Sequence, residues 1–124
     1  MKKYKKLVYT AHSGETARFS GYIQKFVFNK GYIPIEPYEV FSYYFLTWLI
    51  HKGIKKTVID DTISVMLHCD ELWVFSKNKK QIEKEGVAAE IEIWQKYKDP
   101  KKIRFFTWQE VGVPKFIPGS KWNL

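Results

Sequence analysis

The chain predicts an α/β domain built on a parallel sheet, and three observations carry that expectation. Short β-branched or aromatic runs alternate with longer stretches of helical spacing; glycine- and proline-bearing turns separate them; and neither an internal repeat nor a low-complexity linker interrupts the order. With 124 residues, of which 18% are aromatic, the chain is long enough to bury the core of one domain, taken as 1–124.

Leu7-Val8-Tyr9-Thr10-Ala11 is a continuous apolar run of strand length, and the turn-prone His12-Ser13-Gly14 follows it. From Glu15 onward Phe19, Ile23, Phe26 and Val27 recur at helical spacing until Gly31, a natural residue just past a helix end. Tyr32-Ile33-Pro34-Ile35 reads as a short second strand whose proline suggests an edge or a strand end, and Pro37 blocks any helix before it. Helical spacing resumes through Val40, Phe41, Tyr44, Phe45, Trp48 and Leu49 and stops at Gly53. That helix is aromatic on too many sides to face one sheet alone. It either meets a partner or pocket, or forms a Tyr/Trp rim around an ordinary core helix.

A third helix is expected from near Thr57, with Ile59, Ile63, Met66 and Leu67 on one face and a capping box between Thr57 and Asp60. Leu72-Trp73-Val74-Phe75 is the third strand, followed by a polar loop carrying Lys77, Lys79, Lys80 and Lys84. Val87, Ile91 and Trp94 define the next helix, and Ile103-Arg104-Phe105-Phe106 is the last clear strand. Residues 107–124 read as an irregular tail because of their prolines and glycines. The whole order predicts a flavodoxin-like three-layer sandwich with a short parallel sheet of four to five strands, the first strand central.

Lysine and arginine exceed the acids by eight, which favours anionic partners through field effects and says nothing about fold. The basic start Met1-Lys2-Lys3-Tyr4-Lys5-Lys6 resembles a signal n-region, but the apolar run after it is too short for an h-region, and no stretch reaches membrane-spanning length. The expectation is a cytoplasmic protein with no membrane partner. The one cysteine, Cys69, excludes an internal disulfide and argues against a metal cluster; its apolar flank marks a buried structural thiol. No metal and no other cofactor is expected.

Val8-Tyr9-Thr10-Ala11, Cys69-Asp70-Glu71-Leu72-Trp73-Val74-Phe75 and Glu85-Gly86-Val87-Ala88-Ala89-Glu90 together resemble the nucleoside 2-deoxyribosyltransferases and the related 2′-deoxynucleotide N-glycosidases. The first segment is similar to the family's strand ending in a tyrosine and small residues, the second to its helix end, aspartate and strand, and the third to a glycine four residues before a glutamate. Their order spans roughly 7–106, nearly the whole domain. The resemblance implies that Glu90 is the nucleophile that attacks the anomeric carbon, that Tyr9 orients it, and that the protein is a homo-oligomer, a dimer whose pocket draws on the neighbouring subunit. The aromatic helix from Val40 to Leu49 is the candidate contact. Where the family carries an acid eight residues before the position of Asp70 this chain has Thr62, which makes the neighbouring Asp61 the candidate acid. Lys84 stands where transferases often place a sugar-contacting aspartate, a departure that weighs more against transfer than against hydrolysis.

Physical chemistry adds its own expectations. A carboxylate near a helix N-terminus is held as the anion, which would keep Glu90 nucleophilic. Backbone amides around His12, Ser13 and Gly14 and the positive end of the first helix are expected to hold a 5′-phosphate, with Arg18 or the loop lysines neutralising it. Ser76 and Gly86, at the strand end and helix start flanking the lysine loop, are grouped with them as substrate-binding residues. Each has a structural reading too: Glu90 as a solvated first-turn acid, Tyr9 as a core tyrosine, Asp70 as the cap of its strand, and the lysine loop as solvated surface.

Three functions follow as expectations. The first is an N-glycosidase or 2-deoxyribosyltransferase-like enzyme acting on a nucleoside or nucleotide. The second is a catalytically inactive module that binds a nucleotide or nucleotide signal. The third, nucleic-acid binding, is disfavoured because the lysines are scattered and not interleaved with aromatics as a stacking platform requires.

Overall fold

The computed structural model describes residues 4–41, 55–78 and 85–114. Its strands are β1 (Leu7–Ala11), β2 (Ile33–Ile35), β3 (Glu71–Ser76) and β4 (Ile103–Thr107), and its helices α1 (Ser20–Asn29), α2 (Pro37–Val40), α3 (Lys55–Leu67), α4 (Glu85–Tyr97) and α5 (Trp108–Val111). The strands form one all-parallel sheet in the order β2-β1-β3-β4, with helices on both faces. The architecture is a flavodoxin-like three-layer sandwich with β1 inside the sheet, as the alternation of elements predicts. Pro34 occupies the edge strand β2, where its missing N–H leaves no gap in a central ladder.

The two inner strands, β1 and β3, bury both faces, as the centre of an all-parallel sheet covered by helices requires. On one side Val8, Trp73 and Phe75 meet Phe19, Ile23 and Val27 together with Trp108. This layer is strongly aromatic: Trp73 lies 4.9 Å from Phe106 and 5.0 Å from Tyr32, and Phe26 lies 5.0 Å from Phe106. Such pairs contribute about 0.5–1.5 kcal/mol each beyond their buried area. On the other side Tyr9, Ala11, Leu72 and Val74 meet Met66, Val87 and Trp94 from α3 and α4.

Polar pins fix the strand ends. The Asp70 amide donates to the Leu7 carbonyl at 2.8 Å and its carboxylate accepts the Leu7 amide at 2.7 Å, so Asp70 aligns β1 with β3. Lys98, just past α4, donates its ammonium to the carbonyls of Leu67 at 3.0 Å and of Cys69, two groups that the end of α3 leaves without helical partners.

Three local differences from expectation have physical causes. The segment after β1 does not enter an α-helix at Glu15: Gly14–Phe19 is a 3₁₀ helix, and α1 starts at Ser20. The Thr16 amide and hydroxyl both bond the Ser13 carbonyl, at 3.1 and 2.9 Å, and that i to i+3 pairing tightens the turn. Residues 107–111 are not irregular, because Thr107 and Glu110 form a reciprocal capping box and start α5, which ends at Gly112 with φ of 90°. The aromatic helix expected between Val40 and Leu49 falls mostly outside the described residues, as do the loop lysines Lys79, Lys80 and Lys84; the structure records the short α2 before it. The expected Thr57–Asp60 capping box also depends on a side chain outside the described set; α3 itself runs from Lys55.

Candidate functional site

Tyr9 and Glu90 meet. Tyr9 points from the middle of β1 into the layer between sheet and α4, and its hydroxyl is hydrogen-bonded to the Glu90 carboxylate in the second turn of α4. Burial pushes the Tyr9 phenol far above its ordinary value, with the neighbouring Glu90 adding to the shift, so Tyr9 stays protonated and serves as the donor. Burial also raises Glu90, to about 7; the Tyr9 hydrogen bond pulls it down and the charge of Glu36 pushes it up.

That balance corrects the expectation of a carboxylate kept fully ionised by its helix. The dipole effect fades beyond the first turn, and α4 begins at Glu85, so Glu90 lies past its reach. Desolvation sets the proton affinity instead, and about half of the molecules carry the anion at pH 7.

A second acid, Glu36, lies at the same end of the sheet. It is the N-cap of α2, accepting the Tyr38 amide at 2.8 Å, with Pro37 at the first helical position. Its other oxygen accepts the Thr10 hydroxyl at 3.2 Å and faces His12 Nε2 in a short contact. Glu36 is 1% exposed, and among the described residues no buried side-chain nitrogen or oxygen lacks a partner. Tyr38 closes the group: its hydroxyl donates to the His12 carbonyl at 3.2 Å and its ring lies 4.9 Å from the imidazole. Burial, reinforced by Glu90 and Glu36, raises the Tyr38 phenol to about 12. Nothing in residue spacing flagged Glu36; the Glu36-Pro37 pair, an acid before a proline, carries a helix-start signature that marks its cap and not its neighbours.

The other candidate residues divide by location. His12 is buried, with Nδ1 on the Thr16 hydroxyl at 2.8 Å and Nε2 on Glu36. Ser13 and Gly14 open the 3₁₀ helix, Arg18 stands exposed in its last turn, and α1 begins only at Ser20. The amides of Ser13 and Gly14 therefore do not lie on the positive end of α1, and the Ser20 hydroxyl there donates to Glu39 at 2.6 Å, an anion already in place. Ser76 ends β3 and spends its hydroxyl on the Asn78 carbonyl at 2.8 Å. Gly86 is the second residue of α4, as the helix start near it predicts. Asp61 lies half-buried at the middle of α3; the adjacent Thr62 turns its hydroxyl onto the Ile59 carbonyl at 2.8 Å.

Cys69 is buried, and that burial raises its thiol to about 12 against the opposing pull of Lys98, the environment of a structural thiol. Among the described residues no group of three or more His, Cys, Asp or Glu is arranged to hold a metal ion, and no helix is long and apolar enough to cross a membrane. In comparison with known proteins, no family model, no curated protein and no solved structure matches the chain.

Proposed function

We propose that the protein cleaves or transfers the N-glycosidic bond of a nucleoside or nucleotide, with Glu90 as nucleophile and Tyr9 as the group that orients it. The hydrogen bond between these two side chains, in the layer between a parallel sheet and the helix that follows β3, is the observation that carries the reading. A phenol that keeps its proton fixes one carboxylate oxygen and leaves the other for the anomeric carbon. Attack by that oxygen forms a glycosyl ester as the bond to the base breaks; the base leaves with the electron pair and takes a proton. Asp61 is the candidate donor of that proton. Water, or a second base in a transferase, then releases the sugar and regenerates the carboxylate. With Lys84 at the position of the sugar-contacting acid, hydrolysis is the favoured outcome.

The proposal places the protein in the nucleoside 2-deoxyribosyltransferase-like family and carries with it a cytoplasmic homodimer. Incubation with a panel of nucleosides and 5′-monophosphates, with free base measured by chromatography, tests it: base is released by the wild type and at least a hundredfold more slowly by Glu90→Gln. No release with any member of the panel, or equal release by both proteins, ends it.

A second reading is a binding module of the same fold. Thr62, bound to the Ile59 carbonyl at the position of the family acid, favours it. Thermal stabilisation by a nucleotide without base release selects this reading.

A further inference from the structure

We propose that Glu36 is a positioning residue of the Tyr9–Glu90 site: it locks the carboxyl end of β2 to that of β1 and sets a second carboxylate beside the pair. The inference rests on the reading of that pair as the reacting centre.

Three donors from separate segments converge on Glu36. The Thr10 hydroxyl comes from β1 at 3.2 Å, the Tyr38 amide from α2 at 2.8 Å, and the His12 imidazole from the loop after β1. Thr10 ties the same two strands again, its hydroxyl lying 3.3 Å from the Ile35 carbonyl. Tyr9 is the residue next to Thr10 and pairs in register with Ile35, the residue before Glu36. Whatever fixes Glu36 to β1 therefore fixes the backbone that carries the phenol.

The imidazole is constrained as well. Thr16 gives its single hydroxyl proton to the Ser13 carbonyl, so His12 Nδ1 donates to Thr16 and Nε2 is turned to Glu36. A surface acid needs no such cradle. Among the described residues, the titratable groups that act on Glu90 or respond to its charge are Tyr9 from β1, Glu36 at the end of β2 and Tyr38 from α2. Tyr9 stabilises the Glu90 anion. Glu36 opposes it, and so keeps a share of Glu90 protonated at neutral pH beyond what burial alone produces.

The test is a titration of protein whose glutamates carry carbon-13 at the side-chain carboxyl, with Glu90→Gln used to assign the Glu90 signal. In Glu36→Gln the Glu90 midpoint falls by about one pH unit, which corresponds to a like-charge interaction of about 1.4 kcal/mol. Glu36→Asp, which restores the charge, returns it to within a few tenths of a unit of wild type. An unchanged midpoint in a folded Glu36→Gln protein overturns the proposal and leaves Glu36 a cap alone. Should Glu36→Gln fail to fold, the wild type decides: the His12 ring signals show an inflection at the Glu90 midpoint that vanishes in Glu90→Gln, and a curve without that inflection overturns the proposal. Neither readout needs turnover, so the two failures are told apart: a shifted midpoint in a protein that cleaves no nucleotide sinks the enzyme reading and leaves only the coupling of Glu36 to Glu90.

Discussion

The Tyr9 hydroxyl donates to the Glu90 carboxylate across the layer between sheet and helix, and this bond lowers the proton affinity of an acid that burial raises. Removing the donor leaves desolvation and Glu36 unopposed. Tyr9→Phe is expected to raise the Glu90 midpoint from about 7 by about one unit. The anionic fraction at pH 7 then drops from about a half to about a tenth. In the enzyme reading, base release at pH 7 falls by at least fivefold, and the acid limb of its pH profile moves upward with the midpoint seen by carboxyl NMR. A Tyr9→Phe protein whose Glu90 midpoint stays put disproves the bond.

The same desolvated acid makes stability depend on pH. Glu90 in the folded chain holds its proton more tightly than in the unfolded chain, about 7 against an ordinary 4.5, so folding takes up a proton between those values. Its contribution is fully present below pH 4.5 and is lost as pH rises through 7, a loss of about 3 kcal/mol. Glu90→Gln removes the ionisation. Denaturant titrations should therefore find the variant more stable than wild type at pH 8 and the gap closing toward pH 4.5. A gap that widens on acidification contradicts the assignment.

The parts of this fold that depend on local pattern were legible in the chain. The run Leu7–Ala11 is apolar on both faces, as only an inner parallel strand is, and Gly31 stands just past α1 with φ of 90°, the conformation that made glycine the natural choice there. The edge position of Pro34 followed from its missing donor. Thr107-Trp108-Gln109-Glu110 also carried a capping-box signature, and the prolines downstream obscured it. The environment of Glu90 was not legible. Helix propensity places it in a helix, but its proton affinity depends on Tyr9 and Glu36, brought to it by tertiary packing that no period in the chain encodes. The partner of His12 was hidden for the same reason: the acid that takes its second nitrogen comes from the next strand end.

Lys98 is expected to matter for stability more than its partial exposure suggests. Its ammonium is shared between the Leu67 and Cys69 carbonyls and lies 4.8 Å from the centre of the Trp94 ring. Lys98→Met keeps the aliphatic stem over the indole and removes the donors, a change expected to cost about 1–2 kcal/mol in chemical denaturation. The Cys69 thiol, raised to about 12 by burial, remains inert to thiol reagents at pH 8 in the native wild type and reacts in denaturant. Native reactivity at the rate of a free thiol would show that the α3–α4 layer is open there.

Glu71 poses the sharpest test of the aromatic layer. Its carboxylate is buried at the start of β3, accepting the Trp73 indole N–H at 2.9 Å, with the Arg104 guanidinium 3.1 Å away on β4. Arg104 also lies over the rings of Tyr32 and Trp73, at 5.9 and 5.6 Å from their centres, so it covers the acid from the solvent side. Arg104→Met strands a buried carboxylate with one donor. Because Arg104 is half exposed, water partly replaces it, and the expected cost is about 1–2 kcal/mol, less than for a wholly buried pair. Adding Glu71→Gln to Arg104→Met removes the stranded charge and is expected to recover at least half of that loss. The double-mutant cycle, measured by urea unfolding, then gives a coupling of about 1 kcal/mol. Additive effects of the two substitutions would mean that Glu71 is held by Trp73 alone and that Arg104 acts only by packing on the rings.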